Sequence, residues 1–444
     1  MTWFLNLLYI LLLLLFAPWM LWRRVTQGRY RHGWKCKLWG LLPRIPQDSE
    51  SKTLWFHAVS VGELQVIRPL VERAEREFPL AKILVTTSTD AGFALACKLY
   101  NKHTVSYAPM DFSWAISNAL SRVQPDLIIL AELELWPNWI RLSTRKKIPI
   151  AVINGRLSQR SLNGYQRFQK TIRSIVSQIT WIGAQSITYR DRFIELGVPS
   201  NQVEVTGNIK FDGANYDRLH PEVVRRSREL GLNPQETHSP SHQPKDNTLV
   251  WLCGSTQAPE EQLCLDAFMK LADRFPSLKL ILVPRHPERF EEVTRLIQQT
   301  GLPSLRRSLM QDGQVTSHWR IFLADSVGEL RWWWGLADVG FVGGSFGSRG
   351  GQNMIEPCAV RVATCFGPNT KNFADVVQIL LEANGAVALS EPQQLLEWIT
   401  AVIENNAMRD NLAYQGQQVA MSHRGATERT WKRLVQLLYI PASN

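Results

Sequence analysis

The chain has 444 residues, enough for about two ordinary domains, and its 45% hydrophobic and 20% charged residues exclude a mainly disordered protein. The net charge of +11 favours an anionic partner, which at this level is a nucleic acid, a nucleotide or a membrane face. The six cysteines include no Cys-x-x-Cys pair, so we expect free thiols rather than a zinc site or a disulfide framework.

The chain opens with an uncharged apolar segment, WFLNLLYILLLLLFAPWMLW, over residues 3–22. Its length matches the ~20 residues that a helix needs to cross a bilayer, so we predict a transmembrane anchor. A cleaved signal peptide is the alternative, but the segment has no basic start and no small-x-small cleavage site.

A basic juxtamembrane segment follows over residues 23–44. Its cations are Arg23, Arg24, Arg29, Arg31, Lys35, Lys37 and Arg44. The positive-inside rule then predicts a single-pass protein whose remaining chain lies in the cytoplasm, and the same cations suit anionic lipid headgroups.

From residue 53 onward, apolar strand patterns alternate with amphipathic helix patterns. Strands are predicted at 53–57, 82–87, 126–131, 148–153, 179–184, 203–206, 249–253, 278–283, 321–323 and 339–342. Helices are predicted at 63–78, 90–100, 260–275, 288–299, 328–337, 407–422 and 426–438. This alternation is typical of parallel sheets covered by helices on both faces.

A polar, proline-bearing segment, 231–247, interrupts the alternation and is predicted to be a linker or an exposed loop. We therefore predict two doubly wound Rossmann-like α/β domains, 45–230 and 248–444, that face each other across a cleft. Ligands of such sheets bind beyond the carboxyl ends of the strands, so the loops that follow strands are the candidate sites.

In the first half, the loop HAVSVGE places Glu63 at the start of a helix. A glutamate there commonly only complements the helix dipole, and its functional alternative is a base that accepts a hydroxyl proton. Glu132 and Glu134 follow another apolar strand, where a pair of metal ligands is an open alternative. Lys210, after a later strand, is placed to stabilise negative charge.

In the second half, several loops suit a nucleotide. Ser255 and Thr256 precede a helix, and Arg285 follows a strand, where it can contact a phosphate or a base. The glycine-rich loop with Gly344 and Ser345 allows close approach of a ligand, and Glu356 lies in a following helix. Neither half carries the Gly-x-Gly-x-x-Gly dinucleotide motif after its first strand, nor a P-loop.

Taken in order, these segments resemble the Kdo (3-deoxy-D-manno-octulosonic acid) transferases of lipopolysaccharide biosynthesis. The resemblance covers nearly the whole chain. It is carried by HAVSVGE, ELELWPN, NGRLSQRS, GNIKFD, GST, VPRHPERF, GELRWWWGLADVGFVGGSF, RGGQNMIEP and FGPNTKNFAD.

The resemblance implies a glycosyltransferase-B fold and an inverting transfer of Kdo from CMP-Kdo to the lipid A precursor, lipid IVA, at the cytoplasmic face of the inner membrane. Glu63 matches the family's general base, and Glu132 and Lys210 match its transition-state stabilisers. The positions that match the CMP site are Pro284, Arg285, Val327, Gly328, Glu329, Asn353, Met354, Ile355 and Glu356. The family uses no catalytic metal or other cofactor.

The chain departs from the family pattern at Gln352, where histidine is expected before Asn353. Glutamine can form hydrogen bonds there but cannot titrate. The alternatives are a related enzyme that uses another nucleotide sugar, or an inactive membrane-tethered binding protein of the same fold. A nucleic-acid partner is not expected, because much of the basic charge lies beside the predicted anchor.

Overall fold

A computed structural model describes residues 2–27, 32–48, 50–232, 248–310 and 315–439. Most of the predicted linker 231–247 lies outside these residues, and so do Arg29 and Arg31 of the basic segment. The chain divides into two compact units: a first unit of residues 1–212 and 423–444, and a second unit of residues 213–422.

The first unit contains a parallel seven-stranded sheet in the order β3-β2-β1-β4-β5-β6-β7. Its strands are β1 Thr53–His57, β2 Lys82–Thr87, β3 Thr104–Tyr107, β4 Leu127–Ala131, β5 Ile150–Gly155, β6 Trp181–Ala184 and β7 Val203–Val205. Its first nine helices are α1 Thr2–Gln27, α2 Trp34–Trp39, α3 Val61–Glu77, α4 Asp90–Leu99, α5 Ser113–Val123, α6 Pro137–Arg145, α7 Gln159–Gln166, α8 Gln169–Val176 and α9 Ile187–Leu196.

Side chains on both faces of this sheet are buried, as expected for parallel strands covered by helices. Along β1, Trp55 joins the core on one face, while Leu54 and Phe56 join the core on the other. The strands therefore read as continuous apolar runs, and this is why the sequence located them well.

The second unit contains another parallel seven-stranded sheet, in the order β10-β11-β9-β8-β12-β13-β14. Its strands are β8 Leu249–Thr256, β9 Leu278–Pro284, β10 Ser304–Arg306, β11 Ile321–Leu323, β12 Val339–Val342, β13 Ala363–Phe366 and β14 Val387–Ala388. Its helices are α10 Pro221–Glu229, α11 Glu260–Ala272, α12 Phe290–Gln299, α13 Leu330–Trp333, α14 Ile355–Ala359, α15 Ala374–Glu382, α16 Gln394–Glu404 and α17 Asn406–His423, the last residue of which already belongs to the first unit. Two parallel α/β sheets are thus confirmed.

The division between the units differs from the predicted one, because the last helix, α18 Ala426–Leu438, belongs to the first unit. Its Trp431 packs in the core of that unit and donates from Nε1 to a Glu77 oxygen at 2.6 Å. The Asp212 carboxylate accepts hydrogen bonds from the backbone N–H groups of Gly425 and Thr427, both at 2.6 Å. These contacts complete the first unit with residues from the end of the chain.

Helix α1 covers the predicted anchor, but within the described residues no helix reaches the length and hydropathy of a membrane span. The predicted transmembrane helix over 3–22 is therefore not supported. Polar side chains connect the start of α1 to the rest of the first unit: Asn6 Nδ2 donates to Ser113 Oγ at 2.7 Å, and the Tyr9 hydroxyl donates to an Asp111 oxygen at 3.0 Å.

Lys37, one of the cations of the basic segment that were expected to face lipid headgroups, is instead buried. Lys37 is only 7% exposed, and its ammonium lies 4.2 Å from the centroid of the Tyr107 ring. This cation stabilises the packing of α2 rather than facing outward.

Candidate functional site

Glu63 lies in the first turn of α3, just beyond the carboxyl end of β1. Its carboxylate accepts the Val59 N–H at 2.7 Å and the Ser60 hydroxyl at 2.8 Å, while Ser60 Oγ accepts the Glu63 N–H at 3.3 Å. This reciprocal pattern resembles a capping box. Glu63 therefore does stabilise the start of a helix, which was one of the two roles considered from the sequence.

The same surroundings give Glu63 the properties of a base. The residue is 9% exposed, and this burial raises the pKa of its carboxyl. The negative charge of Glu132 raises the pKa further, against the two hydrogen bonds and the Arg156 cation. A carboxylate with a raised pKa holds an abstracted proton more readily near neutral pH.

Glu132 directly follows β4, the strand beside β1. Its φ of 58° lies in the left-handed region, which is unfavourable for a residue with a Cβ, and its N–H donates to Ile153 O at 2.9 Å. This left-handed turn directly follows the last residue of β4, Ala131. The Glu132 carboxylate forms an ion pair with Arg156 Nε at 2.8 Å.

Glu134 and Arg156 were not predicted as site residues, yet they complete a cluster with Glu63 and Glu132, which we call the carboxylate cluster. Burial and then the charge of Glu63 raise the pKa of Glu134 to about 7, and its carboxylate accepts Trp136 Nε1–H at 2.6 Å. The sequence did contain a signal for this cluster: Glu132 and Glu134 follow the buried strand β4, and Arg156 follows the next strand, β5.

The turn that carries Lys210 is fixed by a buried polar network at the carboxyl ends of β5, β6 and β7. Asn208 Nδ2 donates to Gln185 Oε1 at 3.3 Å, and Gln185 Nε2 donates to Asn154 O at 2.9 Å. The Asn208 N–H donates to His423 Nδ1 at 3.2 Å. Asn154 Oδ1 in turn accepts the N–H of residue 209 at 3.0 Å, which ties this turn to the strand end just before Arg156.

In the second unit, the first group of predicted donor-site residues lies at the carboxyl ends of β8 and β9. Thr256 is in register with Pro284, and the Arg285 N–H donates to Thr256 O at 3.0 Å. The Arg285 side chain is exposed, whereas Thr256 is fully buried and Ser255, with a φ of 56°, is 7% exposed. Of this group, Arg285 is therefore the side chain best placed to reach a ligand.

The segment from Asn353 to Glu356 forms the start of α14. Asn353 Nδ2 donates to Glu356 Oε1 at 3.2 Å, and burial raises the pKa of the Glu356 carboxyl, opposed by the charges of Arg331 and Arg285. Met354 and Ile355 are buried at 0% and 1% exposure, so they can offer a ligand only backbone atoms. Arg331, which we did not predict, belongs to the same neighbourhood.

The loop with Val327, Gly328 and Glu329 is held by buried charge. Glu329 accepts a hydrogen bond from Ser326 and forms an ion pair with Arg226 Nη2 at 2.7 Å, and the Arg226 side chain is 2% exposed. Gly328 has a φ of +87°, and Val327 is 77% exposed. The Glu329 carboxylate therefore shapes the loop, while Val327 faces outward.

Gly344 and Ser345 follow β12, and their backbone N–H groups are already occupied. Both donate to the carboxylate of Glu260, at 2.7 and 2.9 Å. The sequence suggested this loop as a place where a ligand approaches the backbone closely, and it did not predict the pairing of these N–H groups with a buried glutamate.

All six cysteines are free thiols. In the part of the chain that the structure describes, no group of three or more His, Cys, Asp or Glu side chains could hold a metal ion. The two acids weighed as metal ligands have protein partners: Glu132 pairs with Arg156, and Glu134 accepts a hydrogen bond from Trp136.

Two doubly wound α/β units with charged side chains beyond their strands have the architecture of the glycosyltransferase-B fold. The family model for 3-deoxy-D-manno-octulosonic-acid transferase (kdotransferase) matches residues 32–213. The 3-deoxy-D-manno-octulosonic acid transferase of Haemophilus influenzae is 32% identical over 378 residues, and that of Bordetella pertussis is 31% identical over 387 residues; each match covers 85% of both chains. The chain belongs to the 3-deoxy-D-manno-octulosonic acid transferase family, and the predicted enzyme class is confirmed.

A solved structure is also similar to part of the chain. It is the C-terminal CMP-Kdo binding domain of WaaA from Acinetobacter baumannii, with 33% identity and a TM-score of 0.39. The match covers 45% of this chain and 98% of that one.

Proposed function

We propose that this enzyme transfers Kdo from CMP-Kdo to a hydroxyl of the lipid A precursor, lipid IVA, with Glu63 as the general base. The observation that carries the proposal is the buried Glu63 carboxylate, whose pKa burial raises, within the carboxylate cluster of a chain that belongs to this family. The donor is inferred from the CMP-Kdo binding named for the similar domain and from Arg285, whose charge acts on the Glu356 carboxyl.

The proposed reaction is a single displacement. Glu63 accepts the proton of the acceptor hydroxyl, whose oxygen forms a bond to the anomeric carbon of Kdo. The bond from that carbon to the CMP phosphate oxygen breaks, and CMP leaves with the electron pair. A carboxylate has about four lone-pair sites, so the two hydrogen bonds to Glu63 leave room for this proton.

The other charged groups take supporting roles in this proposal. Arg285 stabilises the negative charge of the departing CMP, and Lys210 and the Glu132–Arg156 pair stabilise charge around the reacting sugar. Because these cations supply the electrostatic stabilisation, we propose that the reaction needs no metal or other cofactor.

We also propose that α1 holds the enzyme at the cytoplasmic face of the inner membrane, where the lipid acceptor is found. Apolar side chains on this helix are exposed, including Leu7 at 56%, Leu14 at 64%, Leu15 at 71% and Phe16 at 53%. An exposed apolar surface of this kind suits contact with lipid. Liposome flotation of the full chain, against a variant with these four residues changed to Ser, tests this part of the proposal.

The central experiment compares Glu63→Gln with Glu72→Gln, an exposed glutamate on the same helix. Product formation from CMP-Kdo and lipid IVA is followed by mass spectrometry, and CMP binding by calorimetry. We expect Glu63→Gln to lose transfer by at least 1,000-fold while it binds CMP, and Glu72→Gln to match the wild type. Wild-type transfer by Glu63→Gln contradicts the base assignment, and a preference for UDP over CMP contradicts the donor.

A further inference from the structure

Glu260, the first residue of α11, is a buried carboxylate for which the proposed reaction has no role. It is 1% exposed. Its Oε2 accepts the N–H groups of Gln257 at 3.0 Å and Gly344 at 2.7 Å, and its Oε1 accepts those of Ser345 at 2.9 Å and Phe346 at 3.0 Å. One side chain thus binds four backbone donors.

Three of these donors are consecutive and belong to the loop that follows β12, residues 343–346, which we call the glycine loop. Successive N–H groups that converge on one point form an anion site, and here the anion is the Glu260 carboxylate. Glycine is required at 343, because a Cβ there would lie 2.6 Å from the Cα of Thr256 and 2.8 Å from Glu260 Oε2. The loop is therefore built around this carboxylate.

The glycine loop in turn supports the segment that carries Asn353 and Glu356. The Gly351 N–H donates to Gly344 O at 2.8 Å, and the Asn369 N–H donates to Ser345 O at 2.9 Å. The first of these bonds ties the glycine loop to the chain two residues before Asn353.

We propose that Glu260 is a positioning residue for donor binding: its carboxylate holds the glycine loop, and the loop holds residues 353–356 in the shape that binds the nucleotide. The N–H groups of the loop are then not phosphate ligands. This inference rests on the proposed function, because CMP-Kdo is its donor.

The first test compares Glu260→Gln with Glu261→Gln. Glu261 is a matched control because it is also fully buried at the start of α11, but it pairs with Arg289 at 3.1 Å instead of the glycine loop. The amide of Glu260→Gln keeps one acceptor oxygen and turns an NH₂ group toward N–H donors.

We expect Glu260→Gln to raise the KM for CMP-Kdo and the Kd for CMP at least tenfold, with a smaller change in kcat. Glu261→Gln should leave both constants within threefold of the wild type, even where thermal stability falls equally in the two variants. A folded Glu260→Gln with wild-type KM and Kd overturns the proposal.

The second test needs no variant and therefore stands even if Glu260→Gln does not fold. Hydrogen exchange of the wild-type chain is measured at residue resolution, with and without CMP. We expect the amides of Gly344, Ser345 and Phe346 to exchange slowly without CMP and to change less than threefold on its addition.

Fast exchange of these three amides that becomes slow with CMP overturns the proposal, since the ligand would then be their partner. The exchange of residues 353–356 reports on the donor separately. If CMP does not change the exchange of residues 353–356, the proposed donor is contradicted. The exchange of the three loop amides in the free protein still tests whether Glu260 is their partner.

Discussion

Protonation of His423 should lower the free energy of unfolding of the first unit at mildly acidic pH. Its Nδ1 accepts the Asn208 N–H, and burial, followed by the charge of Arg429, lowers its pKa from 6.5 to about 4. The unfolded chain therefore protonates His423 near pH 6.5, and the folded chain protonates it only near pH 4. Stability is therefore complete above pH 6.5 and declines as the pH falls from 6.5 to 4.

These two pKa values set the size of the effect. Folding opposes protonation of this ring by ~3 kcal/mol, of which ~2 kcal/mol is lost between pH 7 and pH 5. The substitution His423→Asn keeps an acceptor for the Asn208 N–H but removes the titration. Buried His57, whose pKa is also lowered to about 4, is unchanged in both proteins, so their difference isolates His423.

Hydrogen exchange of the slowest amides in β5 and β6 measures this difference, after correction for intrinsic exchange rates. We expect the loss of protection between pH 7 and pH 5 to be about 20-fold larger in the wild type than in His423→Asn. Equal losses in the two proteins would refute the assignment to His423.

Three further predictions concern single side chains. Glu63→Gln should lower the pKa of the Glu134 carboxyl below about 7, because the negative charge of Glu63 is one of the causes that raise it; an unchanged pKa in an NMR titration of the Glu134 carboxyl would show that the two groups titrate independently. Arg226→Met should lower the free energy of unfolding by ~3 kcal/mol in urea denaturation and weaken CMP binding, because Glu329 loses its buried partner; wild-type CMP affinity would count against this role. Tyr9→Phe should lower the free energy of unfolding by ~1 kcal/mol and speed limited proteolysis between α1 and α2, and an unaltered cleavage rate would show that its hydrogen bond to Asp111 is dispensable.

Much of the fold was predictable because buried parallel strands are continuous apolar runs. Four strands, β1, β2, β11 and β12, have the predicted bounds. Four short strands were not predicted, the edge strands β3, β10 and β14 and the inner strand β13, since runs of two to four residues carry little pattern that distinguishes them from loops. The packing of α18 in the first unit was not predictable either, because an apolar helix face does not indicate which of the two hydrophobic cores it packs against.

The candidate site residues were also predictable only in part. Glu63, Glu132 and Arg285 are found at strand ends, where the pattern placed them. The partners that set their properties come from distant positions, as Arg156 does for Glu132 and Arg226 for Glu329. Glu260 was missed because a glutamate at the start of a helix is unremarkable until its four N–H partners are known.

The return of α18 to the first unit has a consequence for biosynthesis. Residues 213–422 form one continuous stretch of chain, so the second unit is complete before the ribosome reaches the last helix. The first unit starts earlier but lacks Trp431 and the rest of the apolar face of α18 until translation is nearly finished. The order of synthesis is thus the reverse of the order of completion, and the sheet of the first unit must persist without α18 while the second unit emerges.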